Sequence, residues 1–164
     1  MIVTAYLVAL IMGIEVVNVQ DGDTLTFKTV EGFEIQGRLI GIDCPEVAHR
    51  SKNNRKKSSP GQPMGEEAKS RLTELLKEPF EVKSFGREVF GRTLILLRRG
   101  SKPSVNEALV GEGLCEVYRQ SRKTKDFDIT PLEQAEKKAK QAKAGIWGLG
   151  RYETPAQYRK RYRN

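Results

Sequence analysis

The stretch Glu15-Val16-Val17-Asn18-Val19-Gln20-Asp21-Gly22-Asp23-Thr24-Leu25-Thr26-Phe27 decides the fold. Val17 and Val19 alternate with polar positions, and Leu25 and Phe27 resume the alternation after Asp21-Gly22-Asp23. A period of two marks a half-buried strand. Asp-Gly between two such runs signals a hairpin, because the tightest hairpin turns need positive φ. A second turn at Glu31-Gly32 leads into a third strand over 34–42, so the first third of the chain reads as a three-stranded meander.

Residues 48–63 form a polar, basic loop bounded by proline and glycine. A helix is predicted over 66–76. It has Glu66 and Glu67 in its first turn, Ala68, Leu72, Leu75 and Leu76 as its apolar residues, and Lys77 and Pro79 at its end. Strands follow at 80–85 and 93–97. Ser104 caps a short helix through Ala108 and Val110 that Gly111 or Gly113 closes. Thr130 caps the last predicted helix, with Pro131 at its first position and its end at Ala144 before Gly145; its many Lys and Glu residues predict one exposed face. Five short strands with a helix between the third and fourth fit an OB-type barrel. The expected class is therefore α+β, a five-stranded OB-type β-barrel with three α-helices. It divides into an apolar leader (1–13), one OB-fold domain (14–150) and a basic C-terminal tail (151–164).

The chain has 164 residues, enough for one domain. At 38% hydrophobic and 30% charged it can build a core and stay soluble. Its formal net charge of +8 favours polyanions, and two runs concentrate it: Arg50, Lys52, Arg55, Lys56 and Lys57 in the loop, and Arg159, Lys160, Arg161 and Arg163 in the tail. Each run reads equally well as a solvated face or as a phosphate-attracting patch. Two cysteines and one histidine exclude a dedicated zinc or iron–sulfur site, and His49, inside the basic loop, is a poor candidate for a Ser-His-Asp triad. A metal would have to be held by oxygen. Cys44 and Cys115 suffice for one disulfide, and their spacing does not decide whether they form it. The apolar run from Met1 to Ile14 is short for a bilayer span. A truncated export signal, a short anchor and an extra strand all fit it. Export or membrane attachment is the favoured reading, placing the protein outside the cytoplasm or on a membrane, with a cytoplasmic location as the alternative.

Acids and arginines carry the chemistry. Asp23 lies beside the first turn, and Asp43 and Glu46 lie just past the third strand in Asp43-Cys44-Pro45-Glu46. Pro45 stops a paired ladder and holds Cys44 extended, leaving its carbonyl free for a ligand. If neighbouring strands bring Asp23 to Asp43, two carboxylates and one carbonyl make a hard-oxygen site suited to calcium. Without a cation the two acids repel. Arg38 in the third strand and Arg92 after Gly91 can each grip two phosphate oxygens. A cation and two arginines facing one phosphate stabilise the charge gained during phosphodiester cleavage, and Glu46 is placed to activate a water. Taken singly, Asp-Gly-Asp-Thr is an ordinary turn and Gly-Arg carries no information.

Together these motifs resemble the staphylococcal nuclease (thermonuclease) family from about Val16 to Trp147. The resemblance rests on Asp21-Gly22-Asp23-Thr24, Arg38 to Glu46, Phe90-Gly91-Arg92, Val105 to Val110 with Gly113-Leu114, and Ile146-Trp147. It implies an OB-type barrel with three helices and calcium-dependent endonucleolytic cleavage of DNA and RNA, single-stranded or unpaired by preference, leaving 3′-phosphates. It places the metal carboxylates on Asp23 and Asp43, the carbonyl ligand on Cys44, the general base on Glu46 and the phosphate-binding arginines on Arg38 and Arg92. Cys44 stands where threonine is common, and Phe90 where a tyrosine often precedes Gly-Arg, so a phosphate-binding hydroxyl is lost there. Tyr118 is a candidate base-stacking surface, and Trp147 is expected in the core. A monomer without an organic cofactor is expected. A binding module on the same fold is the alternative, and the complete set of acids and arginines argues against it. A membrane-surface role for the basic runs is the remaining reading.

Overall fold

The computed structural model describes residues 14–49, 58–88 and 90–162. The leader at 1–13 and the basic segment at 50–57 lie outside the described residues, as do the expectations that fall on them. In chain order the strands are β1 (Glu15–Val19), β2 (Thr24–Lys28), β3 (Glu34–Leu39), β4 (Ile42–Asp43), β5 (Glu81–Arg87), β6 (Thr93–Arg98) and β7 (Glu116–Val117). The helices are α1 (Gly65–Leu75), α2 (Val105–Gly111), α3 (Thr130–Gln141) and α4 (Pro155–Tyr162). None of the described helices is long and apolar enough to cross a membrane.

Five strands form a mixed sheet in the order β1-β2-β3-β6-β5, parallel between β3 and β6 and antiparallel elsewhere. The short β4 and β7 pair separately. Two expectations are corrected here. Among the described residues no ladder joins β1 to β5, so the sheet is open, and those residues hold four α-helices where three were expected. The third strand also ends earlier than predicted. Gly41 takes a φ of 82°, a left-handed conformation that glycine adopts freely, and this turns the chain away from β6. Ile42 and Asp43 then pair with Val117 and Glu116 rather than extending the large sheet.

The first hairpin differs in detail from the alternation read in the sequence. A bulge between Val16 and Asn18 shifts the register, so Val16 packs against the core and Val17 is 47% exposed. Gly22 has no positive φ. Its role is close approach: a Cβ there would lie 2.7 Å from the Ala68 Cβ and 2.9 Å from the Cys44 Cβ. The turn is instead shaped by Asp21, whose Oδ1 accepts the Asp23 N–H at 3.0 Å.

Leu25, Leu39, Leu72, Ile95, Leu109 and Leu132 are among the buried residues that fill one core between the sheet and helices α1–α3. Each such side chain contributes roughly 1.5–3 kcal/mol over its exposed state. Asn106, fully buried on α2, donates to the Ile40 carbonyl at 2.9 Å and accepts the Leu97 N–H at 3.2 Å, tying the helix to the end of the parallel pair. Ser104 and Glu107 form a reciprocal capping box on α2. On α3, Thr130 is the first helical residue, not the cap, and its N–H donates to Asp128. The helix stops at Gln141, three residues before the predicted end, because Lys143 and Gly145 take left-handed conformations.

Candidate active site

Three strand connections bring the sequence-predicted residues together. Asp23 immediately precedes β2. Arg38 on β3 lies opposite Thr24 in the antiparallel register, and the Leu39 N–H donates to the Asp23 carbonyl at 2.8 Å. Asp43 ends β4, and a disulfide from the next residue, Cys44, to Cys115 fixes that segment, with 4.2 Å between the two Cα atoms. A closure 71 residues long stabilises the fold by on the order of 4 kcal/mol in the chain-entropy account.

Arg38 bridges the two aspartates. Its Nη1 donates to Asp23 Oδ1, and its Nη2 donates to Asp43 Oδ1 at 2.9 Å. The Asp23 Oδ2 accepts the Cys44 N–H at 2.9 Å, and Thr24 donates its hydroxyl to Asp23 Oδ1 at 3.0 Å. Both carboxylates are buried. Burial pushes the Asp23 carboxyl up to about 7, against the pull of the Arg38 guanidinium and with Asp21 and Asp43 adding to the rise. Burial also works against the charge on Arg38, but Asp23 and Asp43 outweigh it and hold the guanidinium above its ordinary range.

Glu46 lies three residues beyond Asp43. Gln62 accepts the Glu46 N–H at 3.0 Å, and the Gln62 N–H donates to the Glu46 carbonyl at 2.8 Å. Arg92, just before β6, donates from Nε to Glu88 and from Nη1 to Thr24 Oγ1 at 3.3 Å, which places it beside the residue that follows Asp23. An open cavity of about 270 Å³ is lined by Asp21, Arg38, Glu46, Arg92 and the rings of Phe90 and Tyr118, among others. Phe90 is 73% exposed and Tyr118 is 38% exposed. Trp147 is half-buried, with its ring against Tyr152.

Sequence reasoning missed one residue of this site. Arg159, on α4 in the basic tail, also lines the cavity. It donates to both oxygens of Asp43, at 2.9 and 2.7 Å, and to Glu46 Oε1 at 2.7 Å. Nothing in a solvated-looking run of arginines and lysines marks one member as site-directed. A local signal is the set of tyrosines in this basic stretch, Tyr152, Tyr158 and Tyr162, with Tyr158 directly beside Arg159.

Among the described residues no group of three or more His, Cys, Asp and Glu side chains forms a metal cage. The site offers a cation two buried carboxylates joined by one guanidinium, and Arg159 acts as a stand-in cation on Asp43 and Glu46. Three carboxylates that share two guanidiniums keep net negative charge on hard oxygen donors, which fits calcium, with waters completing the shell.

Residues 36–148 match the family model described as staphylococcal nuclease homologue. The chain is 33% identical to Endonuclease Htp3 of Saprolegnia parasitica, over 90% of this chain and 75% of that protein. It is 34% identical to the Thermonuclease of Staphylococcus hyicus, over 81% of this chain and 74% of that protein. It is 30% identical to a probable endonuclease, LCL3, of Komagataella phaffii, of which the match covers 59%. By class the protein is a nuclease, an enzyme of phosphodiester hydrolysis. It belongs to the staphylococcal nuclease family.

Proposed function

We propose that this protein is a calcium-dependent endonuclease that hydrolyses DNA and RNA with little sequence specificity and leaves 3′-phosphates. The observation that carries the reading is the pair of buried aspartates bridged by Arg38 beside a cavity that Arg92 also lines. Asp23, Asp43 and the Cys44 carbonyl would hold the ion. Calcium, when bound, supplies a Lewis acid that polarises the phosphate and neutralises its growing charge. Arg38 and Arg92 grip the non-bridging phosphate oxygens, with forks that strengthen as negative charge builds. Glu46 accepts a proton from the attacking water as the new P–O bond forms. The P–O5′ bond breaks, the 5′-oxygen takes up a proton, and the phosphate stays on the 3′ side. Because the gripped groups are phosphates, base identity has little influence. The exposed rings of Phe90 and Tyr118 favour unpaired strands, whose bases are free to stack on them.

Incubation with labelled single-stranded DNA or RNA, in calcium or in chelator, tests this reading. Fragments should appear only with calcium, ending in 3′-phosphate and 5′-hydroxyl. Intact substrate in calcium would contradict it.

A further inference from the structure

The C-terminal helix α4 delivers Arg159 into the acidic site, and contacts that do not involve Arg159 hold that helix in place. Tyr158 is 3% exposed, and its hydroxyl accepts the Gly61 N–H at 2.9 Å. Thr154 and Gln157 cap the start of the helix reciprocally, at 3.0 and 3.2 Å. Tyr152 donates its hydroxyl to Glu116 at 3.0 Å, next to the residue that pairs with Ile42. Gln62 links the two parts, because its side chain accepts from the Glu46 N–H and donates to the Glu153 carbonyl at 2.8 Å. With the helix fixed in this way, residue 159 is presented to Asp43 and Glu46 as a matter of geometry.

That contact uses the atoms the chemistry needs. Arg159 takes both oxygens of Asp43 and one of Glu46, while Arg38 holds Asp23 and shares Asp43 Oδ1. Three carboxylates are thus met by two internal guanidiniums. A divalent cation approaching this site finds Asp43 already ligated and most of the negative charge cancelled. A lysine could not do this as completely, since only the planar fork spans both carboxylate oxygens.

Resting on the nuclease reading of these carboxylates, we propose that Arg159 is a built-in gate. The tail holds the site closed with its own cation, and calcium must displace the Arg159 guanidinium from Asp43 and Glu46 before the site can work. The bond to Asp43 and the metal are alternatives on the same oxygens, so the apparent calcium affinity is reduced by the fraction of molecules that are closed.

Calorimetric titration of calcium into the full chain tests the gate, with wild type, Arg159→Gln and Arg159→Lys compared. If the open form is about a tenth of the population, Arg159→Gln binds calcium about tenfold more tightly than wild type. Arg159→Lys, which keeps the charge but not the fork, falls between them and preserves the comparison should the glutamine variant fold poorly. Thermal melts give a second readout. In chelator Arg159→Gln melts below wild type because its carboxylates lose a partner, and calcium raises its melting temperature by more than it raises that of wild type. Calcium affinities equal within twofold, equal calcium-induced rises in melting temperature, or no calcium binding by any of the three would overturn the gate. Single-stranded DNA cleavage separates this from the functional reading. A wild type that cuts, with a calcium affinity unchanged by the substitution, removes the gate alone. Tighter calcium binding in the variant with no cleavage by either protein keeps the gate and removes the nuclease reading.

Discussion

The described residues bury acid in two places and compensate it differently. Glu136 on α3 is 2% exposed. Its Oε1 accepts the Val117 N–H at 2.9 Å, and its Oε2 is met by Arg119 and by Lys140 one turn along the helix. Burial alone would raise its carboxyl, but the hydrogen bonds from Arg119, Lys140 and the Val117 N–H win and hold it below the usual glutamate range. At Asp23 the balance falls the other way, and burial keeps the carboxyl raised despite Arg38. Glu136 sits among neighbours that satisfy it, and its work is to pin β7 to α3. Asp23 and Asp43 sit beside an open cavity, partly balanced by arginines from β3 and from the tail. An acid whose compensation is complete serves structure, while acids left short of positive charge have capacity for a ligand.

Substitutions should separate the two clusters. The largest effect is expected at the arginines over the cavity. Arg38→Ala or Arg92→Ala should lower turnover on single-stranded DNA by about two to three orders of magnitude, the scale of losing one transition-state donor. A near-normal rate in either would remove that arginine from the phosphate-binding role. Next in size, Glu136→Gln should cost about 1–3 kcal/mol in denaturant unfolding, the range for weakening a buried charged hydrogen bond, with cleavage unchanged where the protein is folded. Loss of activity without loss of stability would erase the distinction between the clusters.

A further effect is in pH. In chelator, between about pH 4 and 7, native Asp23 retains a proton that the unfolded chain has released, so its contribution to stability falls as pH rises through that window. Glu136 has the opposite sign. Its contribution is present above the ordinary glutamate value and is lost as pH falls through the lowered native one. Melting curves across pH 3–8 should therefore show a decline towards neutrality that Asp23→Asn flattens. An unchanged profile in that variant would mean Asp23 is ionised throughout.

The three-strand meander, α1 and α2 were legible because hydrophobic period and turn chemistry are local signals. So was the family, through motifs whose order and spacing run along most of the chain. The bulge that exposes Val17 was not legible, because which valine faces inward depends on the register against β2. The break after Leu39 hid behind a run that reads as one strand until Gly41 turns it. Glu136 looked like part of an exposed charged face, since only the folded chain brings the Val117 N–H and Arg119 to it. Disulfide formation needs two distant segments to bring their Cα atoms within a few ångströms, which spacing alone does not show. Arg159 was hidden for the same reason as Glu136: its partners lie more than 110 residues away in sequence.

The most direct test sets Asp43→Asn beside Glu136→Gln in a calcium-dependent cleavage assay on single-stranded DNA, at a temperature where both are folded. The account predicts that Asp43→Asn, which exchanges a carboxylate for an amide of nearly the same shape, loses calcium-dependent cleavage while Glu136→Gln cuts at the wild-type rate. Wild-type cleavage by Asp43→Asn would contradict the assignment of the Asp23–Asp43 cluster as the reacting site.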